Sequence, residues 1–217
     1  MAAKLRFFST FAQKFVSMKT LADIKAYCSD PKNRNTVNVG LFVLLIFSSH
    51  YLYLLWKEVM LFWPFAKQVD KLMLWSVDMV FSQATWLLDC VLRVDITTIT
   101  DQRFIATPNV DGGWARVTVA PECASLKQWI HWLFLMILFP GPWKHKLWYI
   151  PAGLVVIEWT NVLRICGVLL MQIPWPNSFH IAHDYIFKVF FYFIIFLMWV
   201  LWVEKFYNPS IKTKQYE

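Results

Sequence analysis

The chain has 217 residues, 58% of them hydrophobic and 18% aromatic, with only 16% charged and a mean hydropathy of +0.45. Soluble domains are roughly 45–50% apolar and about 25% charged, so this composition excludes a disordered chain and a small disulfide scaffold and argues against a soluble globular enzyme. The net charge of +7 is spread along the chain instead of gathered on one patch, so membrane lipids are expected partners and nucleic acid is not.

Residues 1–36 carry Lys4, Arg6, Lys14, Lys19, Lys25, Lys32 and Arg34, the mark of a cytoplasmic flank. Residues 37–56 have no Asp, Glu, Lys or Arg. They predict a first transmembrane helix, too long and too far in for a typical cleaved signal peptide. Residues 57–122 mix acidic and basic side chains and are expected on the extracytoplasmic side. From about 59 to 92 a helical periodicity broken by Asp70, Asp78 and Asp89 predicts an amphipathic helix on the interface. The competing reading, a further crossing there, would bury Asp78. Residues 94–100, 103–107 and 114–120 alternate like short strands, with Asp111-Gly112-Gly113 as turn chemistry.

Residues 123–203 predict a core of three membrane helices. The first covers about 126–139 and stops at Pro140-Gly141-Pro142. The second covers about 147–171 and holds Glu158, Asn161 and Arg164, and the third covers about 185–203. Residues 204–217 form a basic tail. The turn at Lys144 and Lys146 is basic too, whereas the connection at 172–184 has no Lys or Arg. Four crossings place every basic segment inside and the uncharged one outside. The expected fold is an all-α polytopic membrane protein with about four transmembrane helices, an extracytoplasmic interfacial helix and a few short strands.

Charged groups at membrane depth are costly and mark function by default. Arg164 lies 17 residues beyond Leu147, roughly 25 Å along a core of about 30 Å, near its outer edge. Cys123 opens one apolar segment on that same side and His183 opens another. A thiol, an imidazole that can exchange its proton and an always-charged fork of donors form a set for acyl transfer through a thioester.

Three blocks carry a resemblance: Val117-Thr118-Val119-Ala120-Pro121-Glu122-Cys123-Ala124-Ser125-Leu126; Phe139-Pro140-Gly141-Pro142-Trp143 with Asn161-Val162-Leu163-Arg164-Ile165; and His183-Asp184 before the last apolar segment. Over about residues 115–203 the chain resembles the exosortase/archaeosortase family of membrane cysteine transpeptidases. Cys-Ala-Ser-Leu departs from the Cys-Ser-Gly-Ile of many members and leaves the subfamily open. The resemblance implies Cys123 as nucleophile, Arg164 as transition-state stabiliser and His183 as acid/base, with no cofactor and no metal. It implies exported proteins bearing a C-terminal motif, an apolar helix and a basic end as substrates. A surface acceptor, lipid-linked in one version, then receives them at the outer face of a bacterial cytoplasmic membrane.

Other readings stand beside this one. His180 rivals His183 and is a supporting residue of the site; the family block favours His183. Asn161, three residues before Arg164, is placed to orient it. His131 reads as a packing histidine, Glu158 as a buried group with a polar partner, and Asp184 as diverging from its neighbour His183. Cys123 is expected to be the most reactive thiol. In function, a non-catalytic membrane assembly protein of a surface-polymer or export system is the alternative, and a small transporter the least favoured.

Overall fold

The computed structural model describes Tyr27, residues 33–60 and residues 66–209, for 56–60 the backbone alone. The basic segment before Asn33 (Tyr27 apart) and the Lys212–Lys214 end of the tail, both expected in the cytoplasm, lie outside the described residues. The chain divides into two compact units, residues 1–47 and 48–217.

Helix α1, Arg34–Met60, begins in the first unit. Val43, Leu44 and Phe47 are exposed there; exposed apolar side chains on a long, almost uncharged helix suit lipid.

In the second unit, α2 (Ala66–Trp86) continues into a wide π-type turn at Leu87–Val91. Strands β1 (Thr97–Ile99), β2 (Phe104–Pro108) and β3 (Trp114–Thr118) form an antiparallel meander in that order. The predicted alternation appears in β3, whose Ala115 and Val117 point inward while Trp114, Arg116 and Thr118 are exposed. Gly112 takes φ of 77° in the β2–β3 turn, a conformation with no Cβ penalty for glycine. A single 3-10 turn, Pro121–Cys123, leads into α3 (Leu126–Leu138). Helix α4 (Trp143–Met171) follows the Pro-Gly-Pro turn. A second π-type turn, Ile181–Ile186, opens α5 (Phe187–Trp202), which ends in a third, Val203–Tyr207.

The core joins these elements. Val77, Val80, Phe81 and Ala84 of α2 meet Ile105, Ala115 and Val117 of the sheet and Val162, Ile165, Cys166 and Leu169 of α4. The amphipathic face of α2 is therefore spent on protein. The charged Asp78 of α2 pairs with Arg103 at 2.6 Å, where both remain partly exposed.

Among the described residues, three helices are long and apolar enough to cross a membrane: Arg34–Leu55, Trp143–Met171 and Ile181–Tyr207. The segment expected to make another crossing, 126–139, forms a helix of 13 residues. At 1.5 Å per residue that is about 20 Å, short of a hydrocarbon core of about 30 Å. Helix α2 is not among the three.

Candidate active site

The site is assembled on one face of α4. Asn161 is fully buried, and its Nδ2 donates to the Cys123 backbone carbonyl at 2.7 Å and to Ser125 Oγ at 3.0 Å. One amide thus fastens both ends of the short segment that carries the thiol. The sequence predicts that Asn161 orients Arg164; its donors instead hold the Cys123 turn.

One helical turn further, Arg164 is only 9% exposed and its Nη2 lies 2.9 Å from His183 Nε2. An arginine can only donate, so Nε2 is the acceptor in this contact, and Nδ1–H donates to Asp184 Oδ1 at 2.8 Å. That corrects the expectation that neighbours on a helix diverge: in the wide turn Ile181–Ile186 the Asp184 carboxylate comes back to the ring. Phe179 stacks on His183 with 5.5 Å between centroids and 8° between planes, which fixes the ring's orientation.

Gly167 explains how the turn comes so close. It lies three residues past Arg164, and a Cβ there would collide with the Phe187 ring at the start of α5. Without that side chain, α5 settles against α4 and brings His183 to Arg164.

Cys123 is half-buried and bears a free thiol. Burial pushes its pKa up, and the Arg164 charge pulls it down by less, so the net shift is upward. The resting group is therefore a thiol and needs a base, the reverse of the thiolate that a nearby cation alone would favour. The exposed thiol of Cys90 is the more accessible one.

The remaining predicted residues are placed as follows. His180 is exposed, with Nδ1 3.5 Å from Asp184 Oδ2, at the limit of a hydrogen bond. His131 Nδ1 meets the carbonyl of Lys127 in its own helix at 2.6 Å, a packing role. Glu158 is buried beside Ser125, and neither of its oxygens completes a hydrogen bond. Lys188 is exposed. Two participants escaped sequence reasoning. Ser125 was legible only as a polar residue two positions from Cys123, and Phe179 gave no signal because its role depends on the shape of the 172–184 connection. Among the described residues no cluster of His, Cys, Asp and Glu is arranged to hold a metal ion.

Family models, curated proteins and solved structures give no match to this chain. The resemblance to a family rests on the sequence blocks alone.

Proposed function

We propose that this chain is a membrane cysteine protease/transpeptidase of the exosortase type, acting at the outer face of a bacterial cytoplasmic membrane. In this reading α1, α3, α4 and α5 make four crossings. Helix α3 is the short crossing, entered from the outer side after Cys123 and closed by the Pro140-Gly141-Pro142 turn. The observation that carries the proposal is the 2.9 Å contact of Arg164 with His183, one turn along α4 from the Asn161 that grips the Cys123 carbonyl at 2.7 Å. Three residues distant in sequence, each of a type that acyl transfer needs, gather at neighbouring turns of α4: Cys123 through its carbonyl on Asn161, and His183 through its contact with Arg164.

The proposed cycle starts when an exported protein's tail displaces Arg164 from His183 Nε2. The imidazole takes the Cys123 proton, and Asp184 stabilises the imidazolium through Nδ1–H. Sulfur attacks the scissile carbonyl, and the freed guanidinium meets the oxyanion. His183 returns the proton to the leaving amine, which departs with the apolar tail and leaves the exported protein as a thioester. An acceptor amine or hydroxyl then gives its proton to His183 and attacks the carbonyl. The C–S bond breaks, and the proton passes to sulfur to restore the thiol. Water as acceptor makes the same cycle a hydrolysis.

A second reading, a membrane assembly protein without turnover, draws support from the thiol's upward shift and from the engaged Nε2. Mass spectrometry of a sorting-tail substrate co-expressed with the wild type or Cys123→Ala separates the two. Loss of the processed species in the variant supports catalysis; unchanged processing removes it.

A further inference from the structure

A cleft of about 800 Å³ opens beside the site, between the outward face of the sheet and the connection from α4 to α5. Its walls include Trp114, Arg116 and Phe104 from the strands, with Asn177, Phe179 and His180 from the connection. Phe179, one wall of the cleft, stacks on the candidate base His183, so one ring separates the cleft from the group that would deprotonate an acceptor.

We propose that this cleft is the acceptor site and that it binds an acidic glycan. The inference rests on the transpeptidase reading above and names what receives the exported protein. Aromatic plates combined with planar amide donors and acceptors suit a sugar ring, whose apolar face lies on an aromatic while its hydroxyls bond at the rim. Trp114 is 58% exposed, an open plate of that kind, and Gln102 and Asn177 bring side-chain amides to the same walls.

An extended peptide added to the sheet fits less well. The β3–β2 register turns the Arg116 backbone towards the free edge of the sheet. There Gln172 already engages both its groups, accepting from the Arg116 N–H at 3.5 Å and donating to its carbonyl at 3.2 Å. The central position for strand addition is filled by the protein itself.

The charge of the occupant follows from Arg116. Among the described residues no carboxylate lies within ion-pair distance of it, so an exposed guanidinium faces the cleft uncompensated. A carboxylate on the sugar, as in a uronic acid, supplies the matching fork. The transfer balances without further reactants. A glycan hydroxyl gives its proton to His183 and forms the new C–O bond, the thioester C–S bond breaks, and the proton returns to sulfur.

The test is binding to full-length Cys123→Ala protein in nanodiscs, so that turnover plays no part. The probes are tetragalacturonate, neutral maltotetraose and the acidic peptide tetraglutamate, read by saturation-transfer NMR and calorimetry. Tetragalacturonate should bind and Arg116→Gln should weaken it about tenfold, the size of one charge-assisted hydrogen bond. Trp114→Ala should weaken both sugars, and Arg93→Gln, away from the cleft, neither. Absence of sugar binding, or equal affinity in wild-type and Arg116→Gln backgrounds, overturns the proposal. So does tight binding of an acidic peptide in place of the glycan. Because this readout ignores catalysis, it can fail while Cys123-dependent cleavage stands, or survive while cleavage fails.

Discussion

Helix α4 buries two cations, and they are treated in opposite ways. Lys146, near its start, is 2% exposed and gives its ammonium to two backbone carbonyls, Phe139 at 2.7 Å and Ile137 at 3.2 Å. Trp143 lies beneath it, 4.5 Å from Nζ to the ring centroid. Those carbonyls belong to the end of α3, where backbone acceptors have lost their helical partners, so Lys146 serves as a C-terminal cap and braces the Pro-Gly-Pro turn. Arg164, about 27 Å further along the helix at 1.5 Å per residue, donates instead to a titratable ring, and its Nε has no partner. A cation that holds the fold is saturated by main chain. One that touches an imidazole and keeps an idle donor is suited to a ligand.

That contrast can be broken by mutation, beginning with the largest effect. Arg164→Lys should lower tail processing by about two to three orders of magnitude, the range for losing an oxyanion donor, while thermal stability in detergent stays near that of wild type. A matching fall in both would make Arg164 a structural cation like Lys146. Lys146→Met should do the reverse: leaving a buried carbonyl unpaired costs about 1–3 kcal/mol, seen as a lower Tm with undiminished processing per folded molecule.

Smaller effects sharpen the picture around His183. Asp184→Asn removes the carboxylate from Nδ1–H and should cut processing by about tenfold or more, with little change in Tm because Asp184 is half exposed. Gly167→Ala should push Phe187 away and part His183 from Arg164, giving a weaker loss that Phe187→Ala repairs in the double variant.

The smallest effect concerns thiol chemistry. Burial raises the Cys123 pKa, and a thiol reacts as thiolate, so at pH 7 a smaller fraction is reactive than for an ordinary cysteine. Iodoacetamide should therefore label exposed Cys90 before Cys123, and Cys123 labelling should keep rising with pH above the ordinary thiol range of about 8.5. Arg164→Met removes the larger of two downward pulls, the other being the Ala120 backbone hydrogen bond, and should shift that profile higher still. Faster labelling of Cys123 than of Cys90 at pH 7 would mean the resting group is a thiolate.

The sequence makes the helices and strands readable because their patterns are local. The charge-free run before Trp56, the alternation of Trp114 to Thr118 and the Asp-Gly-Gly turn each declare themselves within a few residues. What it conceals is set by distance. That α2 would spend its apolar face on the sheet and α4 depends on contacts dozens of residues apart, so interface and protein core look alike in periodicity. The 13-residue length of α3 was hidden because apolar residues continue past its ends into turns. In the site, residue types and depth brought Cys123, Arg164 and His183 to one level. The partners of Asn161 and Asp184 stayed out of reach, since one grips a backbone carbonyl 38 residues away and the other relies on a π-type turn that no propensity announces.

The most direct measurement is capture of the acyl-enzyme. Wild-type protein incubated with a sorting-tail substrate and quenched in acid should carry, on the peptide containing Cys123, a mass addition that neutral hydroxylamine releases as a thioester does. The account predicts that adduct in wild type and none in Cys123→Ala. An adduct on Cys90 or Cys166, or processing that proceeds unchanged in Cys123→Ala, would contradict it.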